Sequence, residues 1–400
     1  MGQVRHASRR RRSDSIPIPD FGVGNLPEFE FSTSLFRHSL LTPFSSYRQH
    51  QYLSSPVTDK EVVHQELKHV EIGIVSQQGW RKTQEDAHLW AQLDDRTLLF
   101  GVFDGHGGAE VSRFCAEHIH EELRNIEEYA AGKYGESLVA VFHRMDDMMR
   151  TPEGLKKLFS FRDDPGKQMG GVAEQEDGSF DFLRSLLHQQ RNASGGGGGG
   201  GSEETNGQYV EEIQAGCTAV VALVKGNKVY VANAGDSRAV LSRQGKAIPL
   251  SFDHKPSHPT ERKRIESAGG FVSNLGGMSR VNGNLNLSRA IGDLKYKANK
   301  DLHAKHQIIT AEPDIEEAEI QPGDEFLLLA CDGIWDVLTN QEAIDFVRKG
   351  LESGKTCSEV SCDILDHCIA TDPKESRGIG CDNMTCAVVR FKDNFHTTMS

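Results

Sequence analysis

The run Thr97-Leu98-Leu99-Phe100-Gly101-Val102-Phe103 stops abruptly at Asp104-Gly105-His106-Gly107-Gly108. Apolar residues with β-branched and aromatic members predict a buried strand. The glycines after it allow backbone angles that other residues resist. A carboxylate therefore stands at a strand end, with an imidazole two residues on and bare backbone around both. Glycine there also lets a carbonyl face inward as a second oxygen for a hard cation. Taken alone, the junction is equally an ordinary strand-to-turn transition, where Asp and Gly are common. Its recurrence along the chain is what constrains the fold.

Lys228 to Ala234 is β-rich and runs into Gly235-Asp236, and Asn286 to Ile291 runs into Gly292-Asp293. Glu325 to Ala330, the most apolar strand of the chain, leads to Cys331-Asp332-Gly333, and Gly380-Cys381-Asp382-Asn383 precedes the strand Met384 to Phe391. Carboxylates thus recur at strand ends: Asp86, Asp104, Asp236, Asp332 and Asp382. If these strands share a core, their polar ends converge on one rim. Anionic oxygens brought that close repel one another unless a cation sits between them. Oxygen-only ligation points to magnesium or manganese rather than zinc. Two such ions, roughly 3.5–4 Å apart, can activate a water for in-line attack on phosphorus. No thiolate or serine nucleophile is then needed.

The remaining texture is mixed. Strands are predicted at Val70 to Val75, at Leu89-Trp90, over Cys217 to Val224 and over Ala239 to Leu241. Apolar residues at helical spacing predict helices over Ala109 to Arg124, Ser137 to Met149, Gln341 to Leu351 and Cys357 to Ile369, with a short charged one over Thr260 to Ala268. Strands, then helices, then strands, with few βαβ alternations, give an α+β class built on antiparallel sheets. Residues 1–68 read as a disordered N-terminal arm. A sharper reading makes Ser13 or Ser15, after Arg9 to Arg12, a target for a kinase that prefers basic flanks. Within the domain at 69–392, residues 163–212 are polar and culminate in the uninterrupted glycines 195–201, a flexible insertion; 393–400 read as a short tail.

Composition narrows the function classes. The net charge of -13 and the lack of a basic stripe argue against nucleic acid as a partner. No apolar stretch approaches the roughly 20 residues that span a bilayer, and no secretory leader pattern opens the chain. The eight cysteines are scattered, without a paired C-x-x-C, so reduced buried thiols are expected rather than disulfides or structural zinc. An intracellular protein, cytoplasmic or nuclear, fits.

The segments Arg81…Glu85-Asp86-Ala87-His88, Asp104-Gly105-His106-Gly107-Gly108, Gly216-Cys217-Thr218-Ala219, Asn233-Ala234-Gly235-Asp236-Ser237-Arg238, Ser288-Arg289-Ala290-Ile291-Gly292-Asp293, Cys331-Asp332-Gly333-Ile334-Trp335-Asp336 and Asp382-Asn383-Met384-Thr385 resemble, in this order, the metal-dependent serine/threonine protein phosphatases of the 2C type. The resemblance runs from about Val70 to Lys392 and is greatest to the gamma-type branch and its plant relatives. It implies a central antiparallel β-sandwich flanked by helices, with a dimetal site at one edge. It implies two Mg2+ or Mn2+ ions, with Asp104 bridging both and the Gly105 carbonyl completing one shell. Asp332 and Asp382 would bind the other ion, Glu85 would act through a water, and Asp86 would support it. Asp236 and Asp336 would match a weaker third-metal site. Arg81 would clamp the phosphate with its planar fork of donors. His106 would protonate the leaving serine or threonine oxygen. Asp293 is read as structural. Phosphoprotein substrates and a monomeric enzyme are expected. One departure is Gln84, where many members carry Met; it removes no ligand.

Two other classes fit part of the pattern. A silent scaffold would keep the fold and lose ligands, whereas none is missing here. Another dimetal hydrolase, a nuclease or a small-phosphate hydrolase, would keep the ligands, but a nuclease wants a basic channel.

Overall fold

The computed structural model describes residues 52–162 and 213–393, together with Phe395. Ser13, Ser15 and the glycine-rich insertion at 163–212 lie outside the described residues.

Two antiparallel sheets face each other. The first runs in the order β1 (Val57–Glu66), β2 (Val70–Gly79), β16 (Met384–Phe391), β15 (Asp324–Ala330), β9 (Arg238–Arg243), β10 (Lys246–Pro249). The second runs β14 (Asp314–Glu319), β8 (Lys228–Ala234), β7 (Ala219–Lys225), β4 (Thr97–Phe103), β3 (Ala87–Asp94). Alternate residues of each strand point into the gap. Ile72, Ile74, Leu327, Leu329 and Val389 of one sheet meet Leu98, Phe100, Val102, Val220 and Val231 of the other. Each such burial is worth about 1.5–3 kcal/mol. The opposite faces are also apolar, which is why β4 shows no alternation: all seven of its residues are buried.

Helices cover both outer faces. On the second sheet lie α1 (Glu110–Asn125), α3 (Tyr134–Met149) and α4 (Pro152–Arg162), with the single turn α2 (Glu127–Ala130) between the first two. The α1 stripe of Val111, Phe114, Cys115, Ile119 and Leu123 is buried, at the spacing the sequence predicts. On the first sheet lie α7 (Asn340–Glu352) and α8 (Cys357–Cys368), after the short α6 (Asp332–Trp335). Both long helices start at capping boxes, Thr339 with Glu342 and Thr356 with Glu359. A helix α5 (Pro259–Ser267), the hairpin β11 (Val272–Leu275) and β12 (Met278–Val281), and a three-stranded ribbon of β13 (Ile291–Gly292), β6 (Gly216–Cys217) and β5 (Gly105–His106) complete the described fold. The α+β sandwich is thus as expected.

Two boundaries need correction. The arm was expected to extend to residue 68, yet β1 begins at Val57 and pairs along β2, Val62 opposite Val75. It is an edge strand with mostly exposed side chains, so it carries no apolar run to betray it. The tail expected from residue 393 holds Phe395, which is fully buried beside Phe391 with ring centroids 4.8 Å apart.

Candidate active site

The strand ends do converge. Asp104 leaves β4, Asp236 follows β8 and Asp332 follows β15, and their carboxylate oxygens lie within 4.8 Å of one another. The chain positions them by short backbone ties at neighbouring turns. Thr218 N–H donates to the Asp104 carbonyl at 2.9 Å, and Thr218 Oγ1 meets Ser237 Oγ at 2.8 Å. Gly105 is obligatory, since a Cβ there would stand 2.2 Å from the Glu85 carbonyl oxygen. Gly333 is equally constrained by the Asn383 carbonyl, 2.1 Å from its would-be Cβ.

The acidic pair Glu85-Asp86 is held against this rim. Asn383 accepts from Glu85 N–H at 3.0 Å and donates to the carbonyls of Gln78 and Thr83 at 2.8 and 2.9 Å, stitching the 78–85 loop to Asp382. Asp86 Oδ2 accepts from Thr385 Oγ1 at 2.7 Å, whereas its Oδ1 is buried with no partner among the described residues. Glu85 accepts from Thr83 Oγ1 at 2.9 Å and from Gly108 N–H at 3.3 Å.

Electrostatically the rim is short of positive charge. Burial pushes the Asp104 carboxyl well above the usual carboxylate range, and the charges of Asp332, Asp86, Asp382 and Asp236 push the same way. Burial, then Asp236, Asp382 and Asp336, do so for Asp332 against the pull of Lys255. Burial, aided by Asp382, carries Asp86 up to about 7 although Thr385 opposes it. Asp336 is raised as well, by burial first. Two cations answer. Lys255 pairs with Asp236, and Arg81 Nη2 lies 2.5 Å from Asp382 Oδ2.

The tight group is therefore Asp104, Asp236 and Asp332, and Asp382 stands beside it, turned to Arg81. This differs in detail from the sequence reading, which grouped Asp382 with Asp104 and Asp332 and set Asp236 apart with Asp336. The reason is local: Asp382 is one residue from the Asn383 staple and accepts from Asn383 N–H at 2.8 Å, within reach of the guanidinium. Arg81 Nε is buried with no partner among the described residues.

His106 follows Asp104 by two residues, in β5. Its Nε2 donates to Asp293 Oδ2 at 2.7 Å, the carboxylate being able only to accept. Burial depresses the imidazolium, but the Asp293 charge and hydrogen bond outweigh it and the His106 pKa is raised. Its Nδ1 is buried and unpartnered among the described residues. Asp293, expected to serve structure alone, thus carries a contact to a site residue. Sequence reasoning gave no role to Lys255, nor to Asn383 and Thr385, although the last two lie in the Asp382-Asn383-Met384-Thr385 segment. Nothing local to Asp253-His254-Lys255-Pro256 says that its lysine crosses to Asp236.

The donor set, all oxygen, crowded, anionic and with an orphaned buried carboxylate oxygen at Asp86, fits a hard divalent cation. Comparison with known proteins decides the family. The model of the protein phosphatase 2C family matches residues 70–164 and 198–376. The chain belongs to the protein phosphatase 2C family. It is 43% identical over 344 residues to probable protein phosphatase 2C 11 of Oryza sativa subsp. japonica, covering 85% of this chain and 90% of that one. To probable protein phosphatase 2C 60 of Arabidopsis thaliana it is 43% identical over 345 residues, covering 86% and 92%. A solved phosphatase from Toxoplasma gondii shares the fold, with a TM-score of 0.58 at 22% identity over 83% of this chain and 95% of that one. As a protein phosphatase 2C the protein is a metal-dependent serine/threonine phosphatase, acting on phosphoproteins.

Proposed function

We propose that this protein phosphatase 2C removes phosphate from serine and threonine at the rim just described, with Asp104, the Gly105 carbonyl, Asp332 and Asp382 as ligands of two Mg2+ or Mn2+ ions, and with Glu85 and Asp86 behind them. The observation that carries this reading is the group of three carboxylates within 4.8 Å, raised by burial and mutual repulsion. Asp236, which joins that group and pairs with Lys255, would with Asp336 hold a weaker third ion. When bound, the ions supply the activated water and the positive charge that the attack on phosphorus needs.

The chain's own groups do the rest. Arg81 holds the phosphate through its guanidinium, whose Nε is buried and unpartnered among the described residues. His106 protonates the leaving alkoxide oxygen from Nδ1, because Nε2 is committed to Asp293. A serine or threonine alkoxide is a poor leaving group, so that proton is needed in the transition state. The eight free cysteines support an intracellular site of action, cytoplasmic or nuclear. Among the described residues no helix is long and apolar enough to cross a membrane. A monomer is proposed.

Turnover of a phosphoserine peptide should vanish after exhaustive chelation with EDTA and return when Mn2+ or Mg2+ is restored. Full activity in the stripped protein would overturn the reading.

A further inference from the structure

Helix α3 carries a buried ion pair that the reaction above does not use. Asp146, near its C-terminal end, is 7% exposed and Lys297 is 8% exposed. Asp146 Oδ2 lies 2.6 Å from Lys297 Nζ, and Asp146 Oδ1 accepts from Gly292 N–H at 2.8 Å. Lys297 Nζ also donates to the Ala290 carbonyl at 2.7 Å. Both ends of one short stretch, 290–297, are therefore tied to a single carboxylate on a helix. Breaking a buried pair costs more than forming it gains, so such a clamp specifies geometry rather than stability.

The clamped stretch is unusual. Gly292 has φ 80° and Asp293 has φ 49°, two consecutive residues in the left-handed region. Asp293 lacks the freedom of glycine there, and its hydrogen bonds to the surroundings hold it in that conformation. Its N–H donates to the Ala215 carbonyl at 3.0 Å, and its carbonyl accepts from Tyr296 N–H at 2.9 Å. What the turn achieves is to aim the Asp293 carboxylate at His106 Nε2, 2.7 Å away. The ribbon keeps the two in step, since Gly292 and His106 both pair with Gly216. Gly216 has no side chain to interpose; a Cβ there would lie 2.5 Å from Asp293 Oδ2 and 2.7 Å from His106 Nε2.

We propose that Asp146 is a positioning residue for the phosphatase reaction: by clamping Gly292 N–H and Lys297 it fixes the Asp293 turn, which in turn aims His106 at the leaving oxygen. The proposal rests on His106 as the proton donor. It goes further by making a carboxylate on α3 part of the same chain of contacts.

The test compares turnover of a phosphoserine peptide with that of p-nitrophenyl phosphate, whose leaving group departs without a proton. His106→Ala should lower kcat on the peptide by about 100-fold and on the aryl phosphate far less. Asp146→Asn should show the same selectivity at smaller size, about 10-fold on the peptide and about 2-fold on the aryl phosphate, with KM unchanged. In the His106→Ala background, Asp146→Asn should add no further loss on the peptide, because the two act through one group. Gly292→Ala perturbs the same turn without leaving a lone charge, and it carries the test should Asp146→Asn fold poorly. Its Cβ would meet the Ala215 carbonyl oxygen at 2.9 Å, so the same selective loss is expected. Parallel losses on both substrates, or a full additional loss in the His106→Ala background, would overturn the role of Asp146. Equal losses on both substrates in His106→Ala alone would instead overturn the reading of His106, whatever Asp146 does.

Discussion

Among the described residues, two groups of charged side chains are balanced in opposite ways. Glu261 on α5 accepts from Arg264 Nη1 at 2.6 Å, Arg289 Nη2 at 2.8 Å and Ser288 Oγ at 2.7 Å. Arg289 also reaches Asp314 Oδ1 at 2.7 Å, and His254 Nε2 donates to Asp314 Oδ2 at 3.0 Å. Burial by itself would raise Glu261, but hydrogen bonds and charge from Arg289 and Arg264 hold it at about 2. The rim around Asp104 has the same residue types with the sign of the effect reversed. There carboxylates face carboxylates, burial and mutual repulsion outweigh the nearby cations, and Asp86 is left at about 7 with an unpartnered oxygen. A buried carboxylate whose charge is matched is holding structure together. One whose charge is left unmatched is waiting for a cation.

The contrast makes unequal predictions for one isosteric change. Asp104→Asn should lower kcat by about 1000-fold or more on any phosphate monoester while the folded protein survives, because an anion in surplus has been deleted. Near-normal turnover would mean that the ligands are misassigned. Glu261→Gln should do the reverse and act on stability first. It takes from Arg264 its carboxylate partner and leaves Arg289 with Asp314 alone, at a cost of about 3 kcal/mol; urea unfolding measures this, and an unchanged midpoint would dissolve the distinction between the two groups.

A smaller effect sharpens the same comparison. The folded-state pKa of Glu261, about 2, lies below its ordinary 4.5. The stability it contributes is therefore complete above about pH 4.5 and is lost as pH falls toward 2. Wild-type protein should lose stability more steeply than Glu261→Gln across that window, by a difference on the order of 3 kcal/mol at most. Parallel curves in acid would count against the matched cluster.

Much of this was legible in the chain, and what was not has physical reasons. Asp104 and Asp332 could be read because each terminates an apolar run, and a carboxylate at the end of a buried strand is conspicuous. The sandwich followed from those same runs. β1 was missed because an edge strand with residues such as Lys60, Glu61 and His64 looks like solvated chain. Lys255, Asp293 and Asp146 were not legible in their roles, because their partners lie far along the sequence: 19, 187 and 151 residues away for Asp236, His106 and Lys297. Asp146 in particular reads as a polar break in a helical stripe. Only the fold reveals that it faces another charge.

The central claim, that the rim holds surplus negative charge for divalent cations, is tested most directly by thermal melting of metal-stripped protein. Wild type and Asp104→Asn are compared without metal, then with Mn2+ or Mg2+ added. The account predicts that the stripped variant melts at or above the stripped wild type, since it lacks one repelling charge. It also predicts that added metal raises the wild-type midpoint by several degrees and the variant's by less, as binding to the folded state requires. A stripped variant that melts well below wild type, together with a wild type indifferent to metal, would contradict it.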